Sequence, residues 1–194
     1  TTYLKKLNIS NNEGCIHDCT GKISYIKDVI LKETSNFSVM EIVFHHGHSS
    51  EVFLSHPNNC TSVISYDIGE WYINRGEFGK KFLDLVYPNK HSLVLGDSTI
   101  TIPKEKDNKY DIIFIDGGHS FEVALADITN CKRFAHKNTI VIVDDVIRNE
   151  NFHMHFTYGP SNAWNKAVLE GIVKECGHEE YRAGLGIVWG MYKV

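Results

Sequence analysis

The chain has 194 residues, 42% of them hydrophobic and 23% charged, which suits one globular domain with a full core. A formal net charge of -4 without a basic stripe argues against a nucleic-acid backbone as partner, and no apolar run approaches the roughly 20 residues of a membrane span. Five scattered cysteines and the absence of an apolar leader predict a reduced, cytoplasmic, single-domain protein.

Along the chain, apolar runs alternate with longer amphipathic stretches, the pattern of βα units around a parallel sheet. The stripe Ile23, Ile26, Ile30 and Leu31 predicts a leading helix over 21–34. Strands are expected at 39–44 and 62–67, with a helix over 47–54 between them. A helix over 76–86 follows, with Phe78, Phe82, Leu85 and Val86 on one face. Residues 92–95 read as a short third strand. The unbroken apolar run 111–115 reads as a fourth, buried on both faces. Ser120 can cap a helix over 121–135, and 139–143 reads as a fifth strand. A helix over 164–172 and two adjacent strand-like segments, 173–178 and 186–193, close the chain as an antiparallel hairpin. The longest irregular stretch, 146–163, has the length of a loop that covers a site. On this reading 1–36 is a helical lead-in and 39–194 is the core of one domain, 1–194.

Open α/β sheets bind ligands at the carboxyl ends of their strands. There this sequence places Phe44 to Ser49, Asp67, Gly96-Asp97-Ser98, Asp116 to His119, and Asp144-Asp145. Three aspartates from two adjacent strand ends repel one another, and a hard divalent cation such as Mg²⁺ resolves that repulsion. Asp116, Asp144 and Asp145 are therefore a candidate metal site; the alternative is that they cap turns. His119, three residues after Asp116, is a candidate base, or else only a neighbour of the helix start. Alone it could not deprotonate an alcohol. Against a hydroxyl near pKa ~15.7 the gap is about 9 units, roughly 12 kcal/mol, so metal and base make sense together. Asp67 stands where nucleotide-binding folds put a ribose-binding carboxylate; the alternative is an exposed strand-end residue.

Taken together, these residues resemble the class I S-adenosylmethionine-dependent methyltransferases, and within them the metal-dependent O-methyltransferases of the catechol type and their sugar-modifying relatives. The resemblance runs from about residue 39 to 194. It rests on Glu41-Ile42-Val43-Phe44-His45-His46-Gly47-His48-Ser49, on Asp116-Gly117-Gly118-His119, on Asp144-Asp145, and on Tyr158 to Trp164. It implies a Rossmann-like α/β three-layer sandwich with a mostly parallel seven-stranded sheet, order 3-2-1-4-5-7-6 and strand seven antiparallel. It implies S-adenosylmethionine as cofactor, held by Glu41, Phe44, Gly47, Ser49, Asp67, Gly96, Asp97, Ser98 and Asp116. It also implies Mg²⁺ or a similar ion on Asp116, Asp144 and Asp145, and catalysis by His119 and Asp116. The implied acceptor is a small-molecule or sugar hydroxyl, with a deoxyhexose such as rhamnose as one example.

Val43 departs from the pattern, since it stands where the family has its first glycine, and His46 is bulkier than the usual residue. The expectation is that Val43 remains in its strand with its side chain in the core. If it intrudes instead, the chain becomes a non-catalytic binding domain on a methyltransferase fold. A nicotinamide oxidoreductase is disfavoured because no G-x-G-x-x-G turn follows the first strand. Cys15-x-His17-x-Cys19 lacks a second ligand pair for zinc. Phe152, Phe156, Tyr158 and Trp164 either face an acceptor or pack their own loop.

Overall fold

The computed structural model describes residues 16, 19–32, 34–70 and 76–194. Cys15 and His17 lie outside them. Seven strands form one sheet in the order β3-β2-β1-β4-β5-β7-β6, the order that the resemblance implies. They are β1 Phe37–Ile42, β2 Cys60–Asp67, β3 His91–Leu95, β4 Tyr110–Ile115, β5 Ala135–Asp144, β6 Val173–Arg182 and β7 Leu185–Tyr192. β1 with β2, β2 with β3, and β4 with β5 pair in parallel, whereas β7 runs antiparallel to both β5 and β6. The helices are α1 Thr20–Ser24, continued by a π-helical Tyr25–Ile30, then α2 His48–Leu54, α3 Glu77–Val86, α4 Ser98–Thr101, α5 Phe121–Cys131 and α6 Tyr158–Leu169.

The chain groups into two compact units, Thr1–Gly96 and Asp97–Val194. In the first, Phe37, Val39 and Met40 of β1 and Phe53 of α2 are wholly buried. Each such side chain contributes roughly 1.5–3 kcal/mol by leaving water. In the second, Ile112, Ile113 and Phe114 of β4 and Val141 and Ile142 of β5 are equally buried, as their unbroken apolar runs predict. β6 and β7 meet through a two-residue turn, Ala183-Gly184, with Gly184 at φ 74, a left-handed conformation that glycine adopts at little cost.

Two expectations fail in instructive ways. The predicted apolar face of α3 points outward: Phe78 is 60% and Leu85 82% exposed, while Gly79 and Leu83 are buried. A Cβ on Gly79 would lie 2.0 Å from the His46 carbonyl oxygen, so α3 approaches through its smallest residue and its bulky side is left out. Secondly, α6 begins at Tyr158 rather than 164. A Cβ on Gly159 would lie 2.0 Å from the His119 carbonyl oxygen, so this glycine lets the helix start hard against the β4–α5 turn.

Candidate active site

In the first unit the site begins where β1 stops. β1 ends at Ile42, and Val43 takes φ 82. Val43 is thus not a strand residue with its side chain in the core. It holds the left-handed conformation that glycine adopts at no cost, and a β-branched residue there is strained by on the order of 1–3 kcal/mol. The loop keeps a glycine-type path although the glycine is absent. His45 is also left-handed at φ 48, and Gly47, at φ 80, opens α2.

Asp67 holds this path. Its Oδ2 accepts the amides of Phe44 at 2.9 Å and His45 at 2.8 Å, and its Oδ1 accepts Gly69 N at 2.7 Å. The carboxylate thus organises the loop with both oxygens engaged. Phe44 is buried, its ring stacked on His91 with centroids 4.9 Å apart. His46 is buried as well, its carbonyl against Gly79.

Glu41 is completely buried. Ser50 Oγ and Ser65 Oγ donate to its Oε2, each at 2.5 Å. Burial pushes its carboxyl up to about 7, and the hydroxyls of Ser49, Ser50 and Ser65 only partly offset this. Its Oε1 is buried without a hydrogen bond. A buried acceptor of that kind costs free energy until a donor arrives, and the ammonium group of a methionine moiety is such a donor. On this point the residues fit the cofactor. Ser50, which the motif does not single out, is buried on Glu41 together with Ser65, whereas Ser49 is half-buried. Gly96 closes the unit, its amide on Asp67 O at 2.8 Å.

In the second unit, Asp97 spends Oδ1 on capping α4, accepting Thr99 N at 2.8 Å and Thr99 Oγ1 at 2.7 Å. Ser98 beside it is half-buried. β4 ends at Ile115, and Asp116 to His119 form the turn into α5, which Ser120 caps through Val123 N at 3.2 Å as expected. Across from this turn β5 ends in Asp144, followed by Asp145 at φ 59. Asp145 N donates to Asp144 Oδ1 at 2.8 Å and to Gly186 O at 3.0 Å. These two bonds hold Asp145 in a conformation that aspartate tolerates better than most residues.

Asp116, His119 and Asp145 each offer a ligand atom within 4.8 Å of the others. His119 Nε2 stands 3.2 Å from Asp145 Oδ2. The Asp145 hydrogen bond raises the imidazole pKa, burial opposes it, and the charges of Asp145 and Asp144 add to the rise. The cluster therefore differs from the expected trio. It includes His119, while Asp144 turns one oxygen to the Asp145 amide. Two carboxylates suit a hard divalent ion such as Mg²⁺, and the imidazole beside them can act either as a nitrogen ligand or as a base, but not as both through one nitrogen. A small cavity lies here, bounded by Asp116 to His119, Asp144, Asp145 and Pro160.

Of the aromatic residues, Phe156 lies 5.4 Å from the His119 ring and His153 stacks on Tyr158 at 4.4 Å. Trp164 is wholly buried, with Nε1 donating to Glu175 Oε2 at 2.8 Å, and serves packing. Among the described residues no helix is long and apolar enough to cross a membrane.

No curated protein matches the sequence. A family model described as a methyltransferase domain matches residues 40–146. Among solved structures, the O-methyltransferase from Bacillus cereus in complex with SAH is 15% identical with TM-score 0.70, covering 97% of this chain and 86% of that one. CalS11, a TDP-rhamnose 3'-O-methyltransferase of calicheamicin biosynthesis, is 14% identical with TM-score 0.66, covering 98% and 92%. The N-methyltransferase NodS from Bradyrhizobium japonicum is 11% identical with TM-score 0.62, covering 93% and 97%. At such identities the likeness is one of fold.

Proposed function

The chain belongs to the methyltransferase-domain family, and from that membership we propose that it transfers a methyl group from S-adenosylmethionine to a hydroxyl of a small molecule or sugar with the help of a divalent metal. The observation that carries the choice of a hydroxyl is the convergence of Asp116, His119 and Asp145. An amine acceptor would need a base but no cluster of carboxylates. When bound, the cofactor supplies an electrophilic methyl on a sulfonium, and the metal lowers the pKa of a hydroxyl on it.

The chain's own residues supply the rest. Glu41 offers a buried acceptor that would take the amino group of the cofactor's methionine end, Asp67 shapes the loop and would hold the ribose, and Asp97, with Ser98 next to it, would bind at the adenine end. Asp116 and Asp145 hold the metal, with Asp144 fixing the Asp145 backbone through its amide. In this reading His119 is the base for the hydroxyl proton rather than a ligand of the ion, and its Nε2, 3.2 Å from Asp145 Oδ2, is the nitrogen through which Asp145 orients it. Asp145 orients that imidazole and stabilises it once charged. A vicinal diol on a sugar ring, such as a deoxyhexose, suits both the metal and the Phe156 face, and a catechol suits them next best.

The test is methyl transfer to a panel of diols and glycosides with and without EDTA. Metal-dependent turnover with a diol upholds the reading, and full turnover in EDTA removes the metal. A second reading, a binding domain without catalysis, is favoured by the strain at Val43 and the engagement of both Asp67 oxygens by backbone amides. Titration with S-adenosylhomocysteine (SAH) separates the two, because this reading predicts no binding.

A further inference from the structure

Glu180 of β6 keeps a carboxylate side chain only 13% exposed. A charge so far out of water needs donors. Two of those it has are backbone amides of the loop that joins β5 to α6. Arg148 N donates to Oε1 at 2.6 Å, and Asn149 N is shared by Oε1 at 3.3 Å and Oε2 at 3.2 Å. His178 Nε2 lies 3.3 Å from the same Oε1 and 3.1 Å from Val146 O. The hairpin grips the loop twice more. Arg148 pairs with Glu175 at 2.5 Å, and Gly184 N donates to Phe152 O at 2.8 Å. A Cβ on Gly184 would strike the Phe156 ring at 2.8 Å, so the bare turn seats that ring. Phe156 in turn stands beside His119.

We propose that Glu180 is a positioning residue for the acceptor: by accepting the Arg148 and Asn149 amides it fixes the 146–157 loop and so holds Phe156 as a wall beside His119. The inference rests on the methyl transfer proposed above. Arg148 and Asn149 are themselves exposed, so without this carboxylate water would take their amides and the loop would lose one of its ties to the hairpin. Glu180 spends its oxygens on the loop amides and His178, and it acts on the acceptor through the loop. Charge-assisted bonds to backbone amides are among the stronger ones a loop can have, which makes this contact the one to remove.

The experiment compares the full chain with E180A and E180Q by amide hydrogen exchange without ligand, by SAH titration, and by steady-state kinetics with catechol as the probe acceptor. In E180A the amides of 146–152 should exchange about tenfold faster, with β4 and α5 unchanged, as expected for loss of charged hydrogen bonds. Catechol KM should rise about tenfold while kcat and SAH affinity stay within about twofold. E180Q, which retains one carbonyl acceptor, should recover part of both. Unchanged loop exchange in E180A overturns the proposal, as does a parallel loss of SAH affinity and catechol KM, which marks general damage. Failure of the unmodified chain to bind SAH overturns the function reading instead, and loop exchange still decides this one.

Discussion

The acidic residues of the two halves are used in opposite ways. In Thr1–Gly96, Glu41 and Asp67 are buried and accept from donors of their own unit, Ser50 and Ser65 on Glu41 Oε2 and the amides of Phe44, His45 and Gly69 on Asp67. In Asp97–Val194, Asp116 and Asp145 come together with an imidazole instead, beside a cavity. A carboxylate answered by protein donors shapes backbone. Carboxylates drawn together beside an imidazole repel one another, and a cation relieves that repulsion. The contrast teaches that strand-end aspartates alone do not announce their work, and that the groups the fold sets beside them do.

The comparison breaks first, and by the largest margin, in the second half. H119A should lower kcat by about 10²–10⁴-fold, the usual worth of a positioned base, and D145N should do at least as much. Both should leave SAH affinity within about twofold. If either variant keeps full turnover in a coupled SAH-release assay, the carboxylate–imidazole cluster has no chemical role.

The next largest effect belongs to Glu41 and reads out as stability. A carboxyl held at about 7 in the folded chain, against an ordinary value of 4.5, binds its proton more tightly when folded. Its favourable contribution is complete below 4.5 and is lost as pH rises through 7. E41Q cannot titrate, so its unfolding free energy relative to the unmodified chain should climb by roughly 3 kcal/mol between about pH 4.5 and 8 in urea melts without ligand. His91, held down at about 4 by burial and by Lys80, has the opposite sign. It contributes above its ordinary value of 6.5, and the contribution disappears as pH falls through 4. A pH-independent difference between E41Q and the unmodified chain would show that Glu41 is not strained by burial.

Gly79 comes third. A methyl group there meets backbone that cannot swing away, so G79A should cost about 1–3 kcal/mol as an overpacked contact. It should also weaken SAH binding by displacing the 43–47 loop. A melt and a titration check both. The smallest effect is V43G, and it sharpens the comparison. Relief of the left-handed strain exceeds the glycine entropy cost of about 0.5–1 kcal/mol. A net gain of about 1 kcal/mol, a rise of roughly 2–4 °C in Tm, is expected, with SAH affinity equal or better. A lower Tm would mean that Val43 earns its place by packing.

Much of this protein was open to reading from residue order. Short apolar runs located every strand, and period-3.6 apolar spacing most of the helices, because burial imposes those patterns along a segment. The residues of the cluster were legible too, since strand ends in a parallel sheet deliver side chains to one edge. What escaped was whatever depends on a distant neighbour. The outward turn of Phe78 and Leu85 follows from the His46 carbonyl, far upstream of Gly79 in the chain. The indole partner of buried Trp164 is Glu175 on the next strand, and Asp67 is engaged by the amides of Phe44 and His45, a whole βα unit earlier.

Local patterning thus determined by itself the α/β alternation, the candidate strand-end acids and the glycine-like turn position, because these depend on covalent geometry and on apolar spacing along one segment. Only the tertiary structure decided that Val43 must bend as a glycine would, that His119 joins Asp116 and Asp145 while Asp144 supports the backbone, and that Glu180 ties down a loop far earlier in the chain. The reason is physical. Hydrogen bonding and steric contact depend on distance in space, and two residues far apart in a chain carry no record of that distance until the fold brings them together.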